Sequence, residues 1–185
     1  REISDRRGEG QTLGYLGNAY EDLGENSRAI EFGEQYLAIA REIGDRRGEA
    51  IATGNLGNAY MNRGETRRAI ELYEQHLAIV REIGDRLGEA SAMGNLGIAY
   101  ATLGEPRRAI ELYEQQLAIA REIGDRYGEA RASWNLGVTL EELGELGRAA
   151  AMMQVYVDYL REIGHPDAEK RAAHVEALRG RMGAG

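Results

Sequence analysis

A period of forty residues constrains this chain more than any other feature. Residues 85–124, DRLGEASAMGNLGIAYATLGEPRRAIELYEQQLAIAREIG, align without a gap on residues 45–84, and the two copies differ at ten positions: 47, 51, 53, 58, 61, 62, 63, 66, 76 and 80. Looser copies occupy 5–44 and 125–164, with residues 1–4 before them and 165–185 after. A unit this short cannot bury a core by itself. Length therefore counts stacked units, and stability is spread over the interfaces between neighbours.

Glycines divide each copy into two segments. Gly24, Gly64, Gly104 and Gly144 fall within the units and Gly44, Gly84, Gly124 and Gly164 between them, where a helix end favours a left-handed residue. Asp45, Asp85 and Asp125 follow three of the latter, and Asp is a good N-cap whose charge suits the positive end of a helix. Pro106 marks the first turn of a second helix, where no amide hydrogen is needed. In the second copy Ala52, Leu56 and Tyr60 form an apolar stripe on helix A. Ala69, Ile70, Tyr73, Leu77 and Val80 form one on helix B, and Arg67, Arg68, Glu71 and Glu74 lie elsewhere. In the tail, Ala168, Ala172, Val175 and Leu178 share one side of a helix able to cap the last apolar face. The expected fold is an all-α right-handed solenoid of four helix-turn-helix repeats, 5–44, 45–84, 85–124 and 125–164. A capping helix and frayed tail follow at 165–185. Arg1-Glu2-Ile3 matches Arg41-Glu42-Ile43, so residues 1–4 are expected to be the remnant of a preceding repeat.

The formal charge of −8 argues against nucleic acid, which requires clustered Lys and Arg, because here the arginines have glutamates within a turn. The chain has no cysteine, so disulfides and thiolate metal sites are excluded and a reducing, cytoplasmic setting is compatible. No apolar run approaches membrane-spanning length. His76, His165 and His174 lack metal-ligand spacing, and the carboxylates recur with the repeat as a solvated face does, so no cofactor and no catalysis are expected.

Asn55-Leu56-Gly57-Asn58-Ala59-Tyr60, Gly64, Ala69-Ile70 and Tyr73 resemble the tetratricopeptide signature, and the pattern recurs four times. That signature normally repeats at ~34 residues, so the 40-residue unit resembles a longer variant. Similar arrays occur in spindle-orientation adaptors and, more closely, in bacterial multidomain regulators that place them after a nucleotide-binding module. The resemblance implies a protein-interaction scaffold whose helix A residues line a concave surface.

Within the chain the core repeats while one stripe of helix A varies. Matching residues are Gln11, Ile51, Ser91 and Arg131; Asn18, Asn58, Ile98 and Val138; Glu21, Met61, Ala101 and Glu141; and Asp22, Asn62, Thr102 and Glu142. Asn58 lies ~200° round the helix from Leu56, away from the packed stripe. Variation there suits individual ligand contacts, and surface drift is the competing explanation. Asn55, Asn95 and Asn135 add amides, which can grip a peptide backbone or bond between adjacent helices. Gly14, Gly54 and Gly94 sit mid-helix at a cost of ~1 kcal/mol each, which points to close approach by a neighbour or a ligand. Trp134 takes their place in the fourth unit, as a ligand anchor or as filler before the cap. The basic groups of the carboxylate clamp in chaperone-binding members of the family are missing.

The candidate groove is therefore Asn18, Ile51, Asn55, Asn58, Met61, Asn62, Ser91, Asn95, Ile98, Arg131, Trp134 and Asn135. Glu21, Asp22, Glu141 and Glu142 suggest a protein or peptide ligand with basic flanks. Leu13, Tyr15 and Leu16 suggest weak self-association through the first repeat. The alternatives are a sensor or regulatory arm of a signalling ATPase that binds its parent's own domains, and a self-assembling structural segment.

Overall fold

The structure, a computed structural model, describes the backbone of residues 2–183 and the side chains of residues 5–182. The described residues form nine helices and no strand: α1 (Glu2–Asp22), α2 (Asn26–Glu42), α3 (Arg46–Asn62), α4 (Thr66–Glu82), α5 (Arg86–Thr102), α6 (Pro106–Ile123), α7 (Arg126–Glu142), α8 (Leu146–Glu162) and α9 (Ala168–Gly183). This is the all-α solenoid class of helical repeats. The chain comprises two compact units, residues 1–99 and 100–185.

The junctions follow from two residues. At Gly44, φ is +68°, a value an L side chain tolerates poorly, and the Asp45 amide bonds back to the Ala40 carbonyl at 2.8 Å, closing a Schellman turn. The Asp45 carboxylate then accepts the Gly48 amide at 3.0 Å, so the residue that ends one helix also caps the next. Asp85 and Asp125 repeat this on Gly88 and Gly128, each at 2.9 Å. Ser4 stands where these junctions have glycine, and α1 runs unbroken from Glu2. The side chains on which the reading of residues 1–4 as a repeat remnant depends lie outside the described residues, as does the end of the frayed tail.

In the first unit, α1 pairs with α2 and α3 with α4, and α3 also packs on α2. Ala29, Ile30, Leu37 and Ala40 of α2 meet Ala52, Leu56 and Ala59 of α3. Leu56 seats its branch against Gly33, where an added Cβ would come within 2.8 Å of Leu56 Cδ2. Burial of such a side chain contributes roughly 1.5–3 kcal/mol. Leu56 is 2% exposed, whereas its counterpart Leu16 on α1 is 40% exposed and neighbouring Tyr15 73%. Part of the α1 surface is therefore exposed. Helix B is more thoroughly buried than its stripe implied, since Leu72 and Ile79 are buried along with Ala69, Ile70, Tyr73 and Val80.

In the second unit α7 packs on α6 and α8, and α9 covers α8. Val175 and Leu178 of α9 join Leu136, Leu140, Met153 and Val157 in one cluster. The capping helix thus covers Leu140, whereas Val155 and Tyr159 line a cleft between α7 and α8.

Ion pairs tie successive elements together. Glu49 is held by Arg41 from the preceding helix, at 2.8 Å, and by Arg46 from its own. Arg81 and Arg86 hold Glu89 in the same way. Burial pushes the Glu49 carboxyl up, but its two guanidinium partners outweigh this and hold it below its ordinary value.

Candidate protein-binding site

The varying stripe of helix A surrounds a cleft in the first unit. Between α1 and α3 lies a space of about 130 Å³, with Gln11, Tyr15 and Asn18 on one wall, Ile51 and Asn55 on the other, and Gly14 and the Tyr36 ring of α2 lining it as well. Three of the predicted groove residues, Asn18, Ile51 and Asn55, therefore meet at one place. Ile51 is 47% exposed at the edge. Tyr36 and Tyr15, which lie outside the predicted groove residues, complete its lining. The signal for Tyr36 lay in Gly10 and Gly14, one helical turn apart, where an added Cβ would come 3.0 Å from its ring. Gly54 similarly faces His76 at 3.2 Å. Gly14 and Gly54 thus admit side chains of helix B.

The asparagines form a ladder between helices. The Asn55 amide donates to Asn18 Oδ1 at 2.7 Å, and the Asn95 amide to Asn58 Oδ1 at 3.3 Å. Asn58 Oδ1 also accepts the hydroxyl of buried Tyr73 at 2.9 Å, so its two lone pairs are occupied. Burial raises the Tyr73 phenol well above its ordinary value, with the Glu21 charge adding to the effect, and the hydroxyl stays a neutral donor. Asn62 donates to Glu21 Oε1 at 2.9 Å. Partial burial pushes the Glu21 carboxyl up and Asp22 adds to the shift, while the Asn62 bond opposes it. The Asn55, Asn95 and Asn62 amides thus bond between helices.

Farther along the first unit, Met61 and Ser91 are half-buried and Ile98 is exposed. They extend the variable stripe on α3 and α5.

The second unit carries Arg131, Trp134 and Asn135 on α7. The Trp134 ring lies 5.1 Å from Tyr156 and 6.1 Å from His174 of α9, and the Arg171 guanidinium sits 4.5 Å above it. Trp134, half-buried, therefore packs against the cap. Asn135 accepts the Thr139 hydroxyl through its backbone carbonyl at 3.0 Å. Glu141 pairs with Arg181 and His174 of α9, each at 2.8 Å, so the acidic flank expected there is matched by basic groups of the chain itself. Among the described residues no group of three or more His, Cys, Asp or Glu could hold a metal ion, and no helix is long and apolar enough to cross a membrane.

A stack of short helix pairs with caps at fixed intervals and a variable face on the first helix of each pair defines a helical-repeat protein. The chain belongs to the tetratricopeptide repeat family: sequence models of that repeat match residues 48–122 and 95–162. A further model, of the rapsyn N-terminal myristoylation and linker region, matches residues 1–47. Comparison with curated proteins gives no match. Among solved structures the chain is similar to the nearly identical TPR-like repeats of a kinesin light chain from Podosopora anserina, with TM-score 0.70 and 19% identity over 95% of this chain and 96% of that one. It is also similar to a Signal Transduction ATPase with Numerous Domains from Pyrococcus horikoshii that carries a tetratricopeptide repeat sensor. There the TM-score is 0.82 and the identity 20%, over 94% of this chain and 26% of that one. A third similar structure is a Rap protein complexed with Competence and Sporulation Factor, with TM-score 0.77 and 16% identity over 88% of this chain and 44% of that one. At these identities the likeness is one of fold.

Proposed function

We propose that the chain is a protein-interaction scaffold without catalysis, and that the helix A face of its first unit binds a segment of another protein. The observation that carries this reading is the cleft between α1 and α3, where exposed Ile51 and Tyr15 stand beside the amides of Gln11, Asn18 and Asn55 above an aromatic floor. Apolar walls with a few convergent polar groups suit a peptide side chain and its backbone. Along the same face Asn58, Met61, Asn62, Ser91, Asn95 and Ile98 continue the surface, and we retain the division into repeats 5–44, 45–84, 85–124 and 125–164 as its frame. Because the Asn18 and Asn58 side-chain carbonyls are engaged between helices, the polar contacts fall to Gln11 and Asn55, and the apolar members supply the rest of the specificity. Glu21 and Asp22 favour a ligand with a basic flank at that end. The Rap protein, solved in complex with Competence and Sporulation Factor, supports such a use of the fold.

The test is a peptide-array screen followed by calorimetry on the selected peptide. Ile51→Ser introduces the residue found at the matching position 91 and should weaken binding by at least ~1 kcal/mol. Glu71→Ala, on the outer side of α4, should leave binding unchanged. Loss of binding with Glu71→Ala and none with Ile51→Ser would assign the ligand to the outer helices. A second reading, a sensor arm within a signalling ATPase, takes its support from the Pyrococcus horikoshii protein. A phosphate-binding loop encoded upstream in the same gene would favour it.

A further inference from the structure

The fourth repeat departs from the other three at positions that converge on one place. Gln35, Gln75 and Gln115 are matched by Val155; Ala38, Ala78 and Ala118 by Asp158; and Ile39, Ile79 and Ile119 by Tyr159. All three replacements line a cleft of about 330 Å³ between α7 and α8, whose other wall is Arg126, Glu129 and Ala130. That wall is unchanged in kind from Arg46, Glu49 and Ala50 and from Arg86, Glu89 and Ala90. Where the second repeat has Gln75, the Arg41 guanidinium reaches its side chain at 3.4 Å. Arg121, the counterpart of Arg41, bonds Glu129 at 2.8 Å, and Val155 offers it no acceptor.

The lining has a definite chemistry. The Tyr159 ring stands 6.2 Å from that of Tyr127, tilted by 54°, and Tyr127 is 58% exposed. Position 127 is Arg7, Arg47 or Leu87 in the other copies, so this aromatic pair is particular to the fourth. The charges of the constant wall are matched: Arg126 pairs with Glu162 at 2.6 Å and Glu129 with Arg121 at 2.8 Å. Arg161, one turn beyond Asp158, bonds Glu169. Asp158 is exposed, accepts a bond from neutral Gln154 at 2.8 Å, and supplies the surplus negative charge of the cleft. Tyr127 already faces one cation, since the Arg131 guanidinium carbon lies 6.0 Å from its ring centre.

From this convergence we propose that the α7/α8 cleft is a second binding site, which takes an arginine side chain of a partner protein. Tyrosine faces attract a cation, a planar guanidinium can lie against them, and a carboxylate accepts it through paired hydrogen bonds. Glu129 lies ~200° round α7 from Arg131, on a different side of that helix from the variable stripe. The proposal stands whether or not the first unit binds a peptide.

The test uses the full chain, ¹⁵N-labelled, titrated with acetyl-Gly-Arg-Gly-amide and with its neutral citrulline counterpart. The arginine peptide should move the amide signals of residues 126–130 and 155–159 saturably, and the citrulline peptide should bind at least ~10-fold more weakly. The triple change Val155→Gln, Asp158→Ala and Tyr159→Ile restores residues that three copies already use at these positions, and it should abolish the response. Asp158→Asn, an exposed isosteric change, should cost at least ~10-fold without disturbing packing. Ile51→Ser should leave the titration unchanged. Absence of saturable shifts up to millimolar peptide would overturn the proposal. So would equal binding of the citrulline peptide, or retention of affinity in Asp158→Asn.

Discussion

Replacing Asn58 with alanine tests the inter-helix ladder and separates its structural role from ligand binding. The Asn58 carbonyl oxygen accepts the Tyr73 hydroxyl at 2.9 Å, and it also takes the Asn95 amide at 3.3 Å. Tyr73 is buried, so its hydroxyl loses a partner without gaining free access to water. An unsatisfied buried donor costs ~1–3 kcal/mol, and the long Asn95 bond adds little to that. Asn58→Ala should therefore destabilise the first unit by about 1–3 kcal/mol, whereas Asn95→Ala, which removes only the weaker bond, should cost less than ~1 kcal/mol. In a Tyr73→Phe background there is no hydroxyl to strand, and the Asn58→Ala cost should fall by at least ~1 kcal/mol. Because a repeat array need not unfold in two states, native-state hydrogen exchange of α3 and α4 amides is the right assay, with urea melts as a check. An Asn58→Ala effect below ~0.3 kcal/mol, or one equally large in the Tyr73→Phe background, would refute the reasoning.

The same geometry yields three further expectations. Gly57→Ala places a methyl group against the Tyr73 ring, with Cδ1 at 2.6 Å, and should cost ~1–3 kcal/mol, whereas Gly8→Ala meets nothing within 4 Å and should raise helix stability by up to ~1 kcal/mol in thermal melts. Burial holds the His76 imidazole below its ordinary value against the opposing charge of Asp85, and its Nδ1 has no hydrogen-bond partner. The unfolded chain therefore takes up the proton first, so this contribution to stability is complete above pH ~6.5 and declines as pH falls below it; His76→Gln, the residue at position 116, should flatten that part of the profile. Leu178→Ala in the cap removes a fully buried side chain from the cluster with Leu140 and Met153 and should cost ~2–5 kcal/mol, seen as lost exchange protection in α8.

The junctions were legible in the sequence because their causes are local. Asp45 and Gly44 act on amides and carbonyls within a few residues, and Pro106 opens α6 for the same reason. The variable stripe was legible through comparison of the copies, and the cleft at Asn18, Ile51 and Asn55 lies on it. What could not be read was how groups far apart in the chain satisfy one another. Asn55 reaches Asn18 across 37 residues, and either amide could equally have faced a ligand. The neighbours of Trp134, Arg171 and His174, belong to the least repetitive part of the chain. Nor does periodicity show that Val155 and Tyr159 line a cleft, because it gives a helix face but not the width of the space beside it.

The most direct test of the proposed function is a chemical-shift map of the ¹⁵N-labelled chain with the highest-affinity peptide from the array. The account predicts that the largest perturbations fall on Gln11, Tyr15, Asn18, Ile51 and Asn55, around the cleft between α1 and α3. Perturbations confined to the outward residues of α2 and α4, such as Glu31, Glu71 and Glu74, would contradict it.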